Sequence, residues 1–269
     1  MINIRMYCLC LHNRILPIIN SLGYIPVGLG SDNFSNKWLR DDSFENISFK
    51  NKYYGEYTFH YWFWKNQLPK IEDNSWIGFC AYREFWGNKT RVEKNSKINE
   101  VVLNKIPDEW NNYDSIIGEH ISINKLPFMK LLKKGIPALI NNPKAILKKN
   151  RNIRFHFDMM HGVGNLDKAI DLLDEKDRED FRKYTRTNFS FSRGNMFICR
   201  SKKIIEEYYK SIFTWLKNCE NIFGFNLDGY GMTRIYAFLA ERYISYWFDK
   251  YTNSLKWPVI FFDSSKINK

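Results

Sequence analysis

The run Ile4 to Leu11, IRMYCLCL, is apolar, only strand length, and stops abruptly at the polar turn His12-Asn13-Arg14. Such a run lacks the alternation of a half-exposed strand and fits one buried on both faces, as in the middle of a parallel sheet. Other stretches repeat the design. Tyr24 to Leu29 (YIPVGL) leads into the turn-rich GSDNFSNKWLRDD, and Trp76 to Phe85 (WIGFCAYREF) stays apolar until Tyr82-Arg83-Glu84. Tyr113 to Ile123 reads as a strand ending near Glu119 and His120. The polar turn Ser192-Arg193-Gly194-Asn195 enters the strand MFIC, and Pro258 to Asp263 adds a final edge strand.

Helical periods alternate with these strands. They are predicted from about Tyr53 to Asn66, near Ile98 to Leu103, from Phe155 to about Leu173, from Lys202 to Glu220 and from about Gly231 to Lys250. In the last, Met232, Ile235, Tyr236, Leu239, Tyr243, Tyr246 and Trp247 form the core stripe. The alternation predicts an α/β fold, a mostly parallel sheet flanked by helices, in a single domain. Ligands of open α/β sheets sit beyond the carboxyl ends of strands. His12 to Arg14 are therefore nucleotide-contact candidates or an ordinary strand-end loop. Arg83, on a planar fork, is suited to a diphosphate.

The stretch from Asp42 to Asn66 begins polar, with Asn46, Ser48, Lys50 and Asn51, and becomes a run of Tyr, Phe and Trp. Tyr54, Tyr57, Thr58, Tyr61, Trp62 and Lys65 recur at helical spacing. The helix is either an aromatic core element or a face that stacks a ligand.

At 269 residues the chain can bury a full core, and its net charge of +12 calls for an anionic partner: nucleic acid, an anionic bilayer or phosphorylated small molecules. Cys8, Cys10, Cys80, Cys199 and Cys219 contain no C-x-x-C pair, which argues against a structural zinc site and for buried free thiols. No secretory leader and no apolar run long enough to span a bilayer is visible, so a cytoplasmic location is expected. Basic residues concentrate from 126 to 154, where Lys130, Lys133, Lys134, Lys144, Lys148, Lys149, Arg151 and Arg154 alternate with Leu and Ile. This amphipathic insert is either a patch for anionic lipid headgroups or a solvated cationic face. In FHFDMMHGVGNLD, two histidines and two aspartates make a metal or acid–base cluster, or Asn165 or Asp167 caps a helix.

The segments RDDSFENISFKN, YGEYTFHYWFWKN, IGFCAYREFW, GNMFICRSKKIIEEYYKSIFTWL and RIYAFLAERY together resemble a family from bacterial capsular and surface polysaccharide loci. That family was long known only as a domain of unknown function and is similar to GT-A glycosyltransferases. Two positions depart from its pattern: Ala81 replaces a His and Glu84 an Arg, whereas Tyr82 and Arg83 match.

The resemblance implies a glycosyltransferase moving a sugar from a nucleotide-sugar, UDP-sugar favoured, to a capsular polysaccharide or lipooligosaccharide acceptor at the cytoplasmic face of the inner membrane. His12, Asn46, Lys50, Asn51, Tyr82, Arg83, Arg193 and Asn195 are the donor-binding candidates. Arg83, with Lys50 and Arg193, is expected to neutralise the diphosphate, since no Asp-x-Asp stands at a strand end. Glu84 is a minor candidate for a divalent metal. Asp228, just before the last long helix, takes the place of the base, with His161 and Glu241 as reserves; the alternative for Asp228 is a turn or helix-cap role. A nucleic-acid partner is not expected, because no RNA-binding strand motif is present. A non-catalytic scaffold of a polysaccharide assembly complex is the other reading.

Overall fold

A computed structural model describes residues 4–89, 96–124, 131 and 135–262. Among them the strands are, in chain order, β1 (Ile4–Cys10), β2 (Ile25–Gly28), β3 (Leu39–Arg40), β4 (Trp76–Ala81), β5 (Glu84–Trp86), β6 (Ser115–Gly118), β7 (His120–Ser122), β8 (Ser190–Ser192), β9 (Phe197–Cys199), β10 (Ser254–Trp257) and β11 (Val259–Phe261). The chain separates into two compact units. The first comprises the described residues of Met1–Glu119, Arg193–Tyr209 and Phe248–Lys269, and the second His120–Ser192 and Lys210–Trp247.

The first unit is a mixed sheet ordered β10-β6-β9-β4-β1-β2-β3, with β5 and β11 pairing off β4. Strand β1 lies parallel to both β2 and β4, and β10 parallel to β6, whereas β9 runs antiparallel between β4 and β6. The two faces of β1 explain its unbroken apolar sequence. Tyr7 packs with Phe79 of β4 against Phe59 and Phe63 of the helix Tyr57–Asn66. Met6, Cys8 and Cys10 point the other way, into a core with Cys80, Trp86, Trp110 and Trp257. All five cysteines are buried free thiols.

Tyr57, Thr58, Phe59, His60, Trp62 and Phe63 of that helix are buried, so the aromatic stretch is a core element. His60 illustrates why a polar ring belongs there. Its Nε2 lies 3.3 Å from the Asn195 carbonyl, which can only accept, so Nε2 donates and Nδ1 accepts from the Tyr209 hydroxyl at 2.9 Å. Burial pushes the His60 pKa down to about 3, which keeps the ring neutral and suited to that pairing.

The predicted strand Trp76 to Phe85 breaks at Ala81. Tyr82-Arg83 is a two-residue turn, and the chain returns as β5, antiparallel to β4, through the pair Ala81 and Glu84. The predicted strand Tyr113 to Ile123 also divides, β6 joining the large sheet and β7 pairing antiparallel with β8 in a separate two-stranded sheet. The predicted final strand is β11, from Val259 to Phe261; its last predicted residue, Asp263, lies outside the described residues.

The second unit contains the two-stranded β7–β8 sheet and helices at Ile136–Asn141, Ile153–His161, Asn165–Ile170 and Glu175–Thr187, followed by the portions of Lys202–Phe223 and Ile235–Tyr251 that belong to it. The single helix expected from Phe155 to Leu173 is two, because Gly162 and Gly164 take φ of +90° and +78° between them. Asn152 caps the first, its Oδ1 accepting from the Phe155 amide at 2.9 Å. The helix Glu175–Thr187 has no counterpart in the sequence reading. Its buried face is only Asp177, Phe181 and Thr185, one residue in four, and Asp177 accepts hydroxyls from Tyr243 and Tyr246 at 3.1 and 3.0 Å.

Candidate functional site

Because β1, β2, β3 and β4 run in the same direction, their carboxyl ends at Cys10, Gly28, Arg40 and Ala81 open onto one edge of the first unit's sheet. A cavity of about 720 Å³ lies there, lined by Leu11, His12, Asn13, Arg14, Leu29, Gly30, Ser31, Asp32 and Asn51. The two strand-end loops are tied together. The Asn13 amide donates to Asp32 Oδ2 at 3.0 Å and its side chain to the Asn33 carbonyl at 3.0 Å. Arg40 Nη2 donates to the Gly30 carbonyl at 2.8 Å. Gly30 takes φ of +73°, and a Cβ there would stand 3.3 Å from Asn51 Oδ1. The Asn51 amide nitrogen donates to the Gly55 carbonyl at 3.0 Å and to Thr58 Oγ1 at 3.1 Å, which fixes the orientation of its side chain.

The β4–β5 turn adjoins this cavity through His12. The imidazole meets the Tyr82 ring edge-on at 4.8 Å, and the Arg83 guanidinium lies 5.1 Å from the same ring. Burial, then the charge of Arg14, with Arg83 adding to it, pushes the His12 pKa down, while Asp32 pulls it up; the balance is downward. His12 is therefore neutral near pH 7, and its Nδ1 has no hydrogen-bond partner among the described residues. One guanidinium, one carboxylate, an imidazole and two amides around one hollow, with Arg83 nearby, suit a ligand with an anionic group and a polar body.

The remaining donor-site candidates are placed otherwise. Asn46 spends its side chain on its own loop, donating to the Phe44 carbonyl at 2.9 Å and accepting from Ser48 Oγ at 2.8 Å. Lys50 stands 5.8 Å from the rings of Phe49 and Tyr54. Arg193 Nε is 2.6 Å from Glu84 Oε1, so its guanidinium is engaged by a carboxylate. Asn195 serves through its backbone, as the acceptor for His60. Glu84 neutralises a guanidinium, and among the described residues no three His, Cys, Asp or Glu side chains gather in a way that could hold a metal ion.

The three acid–base candidates lie in the second unit. Asp228 is exposed, and the cap position of the short helix Tyr230–Thr233 is held by Gly229, so Asp228 is not its cap. His161 is buried, stacked on Phe238 at 4.1 Å, with Nδ1 donating to the Gly231 carbonyl at 3.0 Å. It is a core histidine, and Gly231 is required beside it, since a Cβ there would meet the Met160 carbonyl oxygen at 2.2 Å. Glu241 pairs with the fully buried Arg242, whose guanidinium lies 4.0 Å from the Phe191 ring. Asp167, offered as a cap, instead accepts Arg154 Nε at 2.7 Å.

The sequence reading passed over Gly30, Ser31, Asp32 and Arg40 as a turn-rich loop. The signal was available: Gly30, Ser31 and Asp32 follow β2 as His12 to Arg14 follow β1, Arg40 ends β3, and parallel neighbours end at the same edge.

Comparison with known proteins agrees with this architecture. A solved apo structure of the bifunctional glycosyltransferase WbbM superposes with a TM-score of 0.67 at 21% identity, over 97% of this chain and 46% of that one. This chain thus spans less than half of that protein, and the likeness gives a GT-A-like α/β fold. No curated protein matches. Residues 6–253 match the family described as domain of unknown function DUF4422, and the chain belongs to that family.

Proposed function

We propose that this protein is a glycosyltransferase that takes a nucleotide-sugar, UDP-sugar favoured, and delivers the sugar to a capsular polysaccharide or lipooligosaccharide acceptor at the cytoplasmic face of the membrane. The observation that carries the reading is the cavity at the carboxyl ends of β1 and β2, where His12, Arg14, Asp32 and Asn51 meet beside Arg83. Its volume lies within the range of small-molecule sites, roughly 300 to 1,000 Å³.

In this reading Arg14 and Arg83 face the diphosphate and stabilise the charge that grows as it leaves. Asp32 and Asn51 supply acceptors for the hydroxyl or ring N–H groups of the nucleoside. Lys50 contributes charge from the adjoining turn, and Arg193 contributes only if Glu84 releases it. Asp228, exposed and uncommitted to a helix cap, is the candidate that deprotonates the acceptor hydroxyl.

The test is calorimetric titration of the whole chain with UDP, GDP, CMP and a single-stranded oligonucleotide. Saturable binding of a nucleoside diphosphate is the expected result. Binding of the oligonucleotide with no response to any nucleotide overturns the proposal.

A further inference from the structure

Between Glu119 and Asp158 the chain contains no Asp or Glu, while Lys and Arg recur throughout. Lys130, Lys133 and Lys134 of this segment lie outside the described residues. Residues 135–154 form a folded piece of the second unit. Ala138 and Ala145 are buried with Leu131, Phe155 and Met159. Arg151, itself buried, holds the turn from within: Nε donates to the Ala145 carbonyl and Nη2 to the Ile146 carbonyl, both at 3.0 Å. Arg154 is engaged by Asp167.

What the fold leaves outside is unusual. Ile136, Ile140, Ile146 and Leu147 are 54%, 76%, 57% and 54% exposed, and Lys144, Lys148 and Lys149 stand among them, also exposed. A merely solvated cationic face has no reason to hold four large aliphatic side chains in water. Small alanines face in and large isoleucines face out, the reverse of what core packing alone selects. Exposed apolar residues and lysines in one short folded segment combine shallow insertion with attraction to negative headgroups.

We propose that this Ile/Leu/Lys face docks the protein on an anionic lipid bilayer, with Ile136, Ile140, Ile146 and Leu147 entering the headgroup region and Lys144, Lys148 and Lys149 meeting the phosphates. The absence of acidic side chains from the segment is the charge complementarity that selects this occupant. The inference does not depend on the reaction assigned to the strand-end cavity.

The experiment is co-sedimentation of the full chain with phosphatidylcholine vesicles, with and without about one-third phosphatidylglycerol. Binding is expected to the anionic vesicles only, and to weaken as salt is raised to about 0.5 M. Lys144→Glu, Lys148→Glu and Lys149→Glu together are expected to weaken it by about 100-fold or more. Ile140→Ser with Leu147→Ser is expected to weaken it at equal charge, which separates insertion from simple attraction. All five positions are exposed, and an unchanged circular dichroism spectrum confirms the fold of each variant. No binding to anionic vesicles, binding unaffected by either set, or retention on an oligonucleotide in place of vesicles overturns the proposal.

Discussion

Glu84 Oε1 accepts Arg193 Nε at 2.6 Å, joining the turn before β9 to the strand β5. The same turn carries Gly194 at φ of +78°, where a Cβ would stand 2.7 Å from Glu84 Oε2. The carboxylate thus rests in a space that only glycine leaves open. Because Arg193 is half exposed, Glu84→Ala is expected to cost no more than about 1 kcal/mol. Gly194→Ala adds backbone strain to the clash and is expected to cost more, about 1–3 kcal/mol. Urea denaturation of both variants checks the order; a larger loss for Glu84→Ala would mean the ion pair, and not the turn, holds β5.

Burial holds the His60 pKa down to about 3, against the usual value of 6.5. The unfolded chain therefore takes up this proton first as pH falls. The stability His60 contributes is complete above about pH 6.5, declines through the interval below it, and is exhausted near pH 3. His60→Gln is expected to lose about 1–3 kcal/mol at pH 7, through poorer pairing with Tyr209 and Asn195. Its stability is expected to fall less steeply than the wild type's between pH 6.5 and 4.5. Parallel slopes in denaturant titrations at several pH values would remove His60 as the source.

Arg83 lies beside Tyr82, and its charge reaches His12 at the cavity. Arg83→Ala is expected to weaken nucleoside diphosphate binding by about 10- to 100-fold, and Arg83→Lys by less, because a point charge replaces the fork. Both changes are on an exposed turn, so thermal stability is expected to stay within about 0.5 kcal/mol of wild type. Calorimetry gives the affinity, and equal affinity for all three proteins would place the diphosphate elsewhere.

Asp228→Asn keeps the shape of an exposed loop and removes only a base. Transfer is expected to fall by about 100-fold or more while UDP affinity is unchanged. Normal turnover by this variant in a sugar-transfer assay takes Asp228 out of the mechanism.

From the sequence alone β1 and β4 are legible, together with the polar turns that end them. An apolar run ending in charge is readable because a strand buried on both faces admits no polar residue until it leaves the sheet, and β1 and β4 both obey this. For the same reason the sequence put His12 just beyond β1 and Tyr82 and Arg83 just beyond β4. The helix Glu175–Thr187 was illegible because its buried stripe is one residue in four and includes an aspartate whose partners, Tyr243 and Tyr246, are far along the chain. Only the tertiary fold shows that Arg193 is held by Glu84 and that His161 is stacked on Phe238. A side chain's chemistry is written in the sequence, but its availability depends on which distant groups fold against it, and local periodicity carries no record of those.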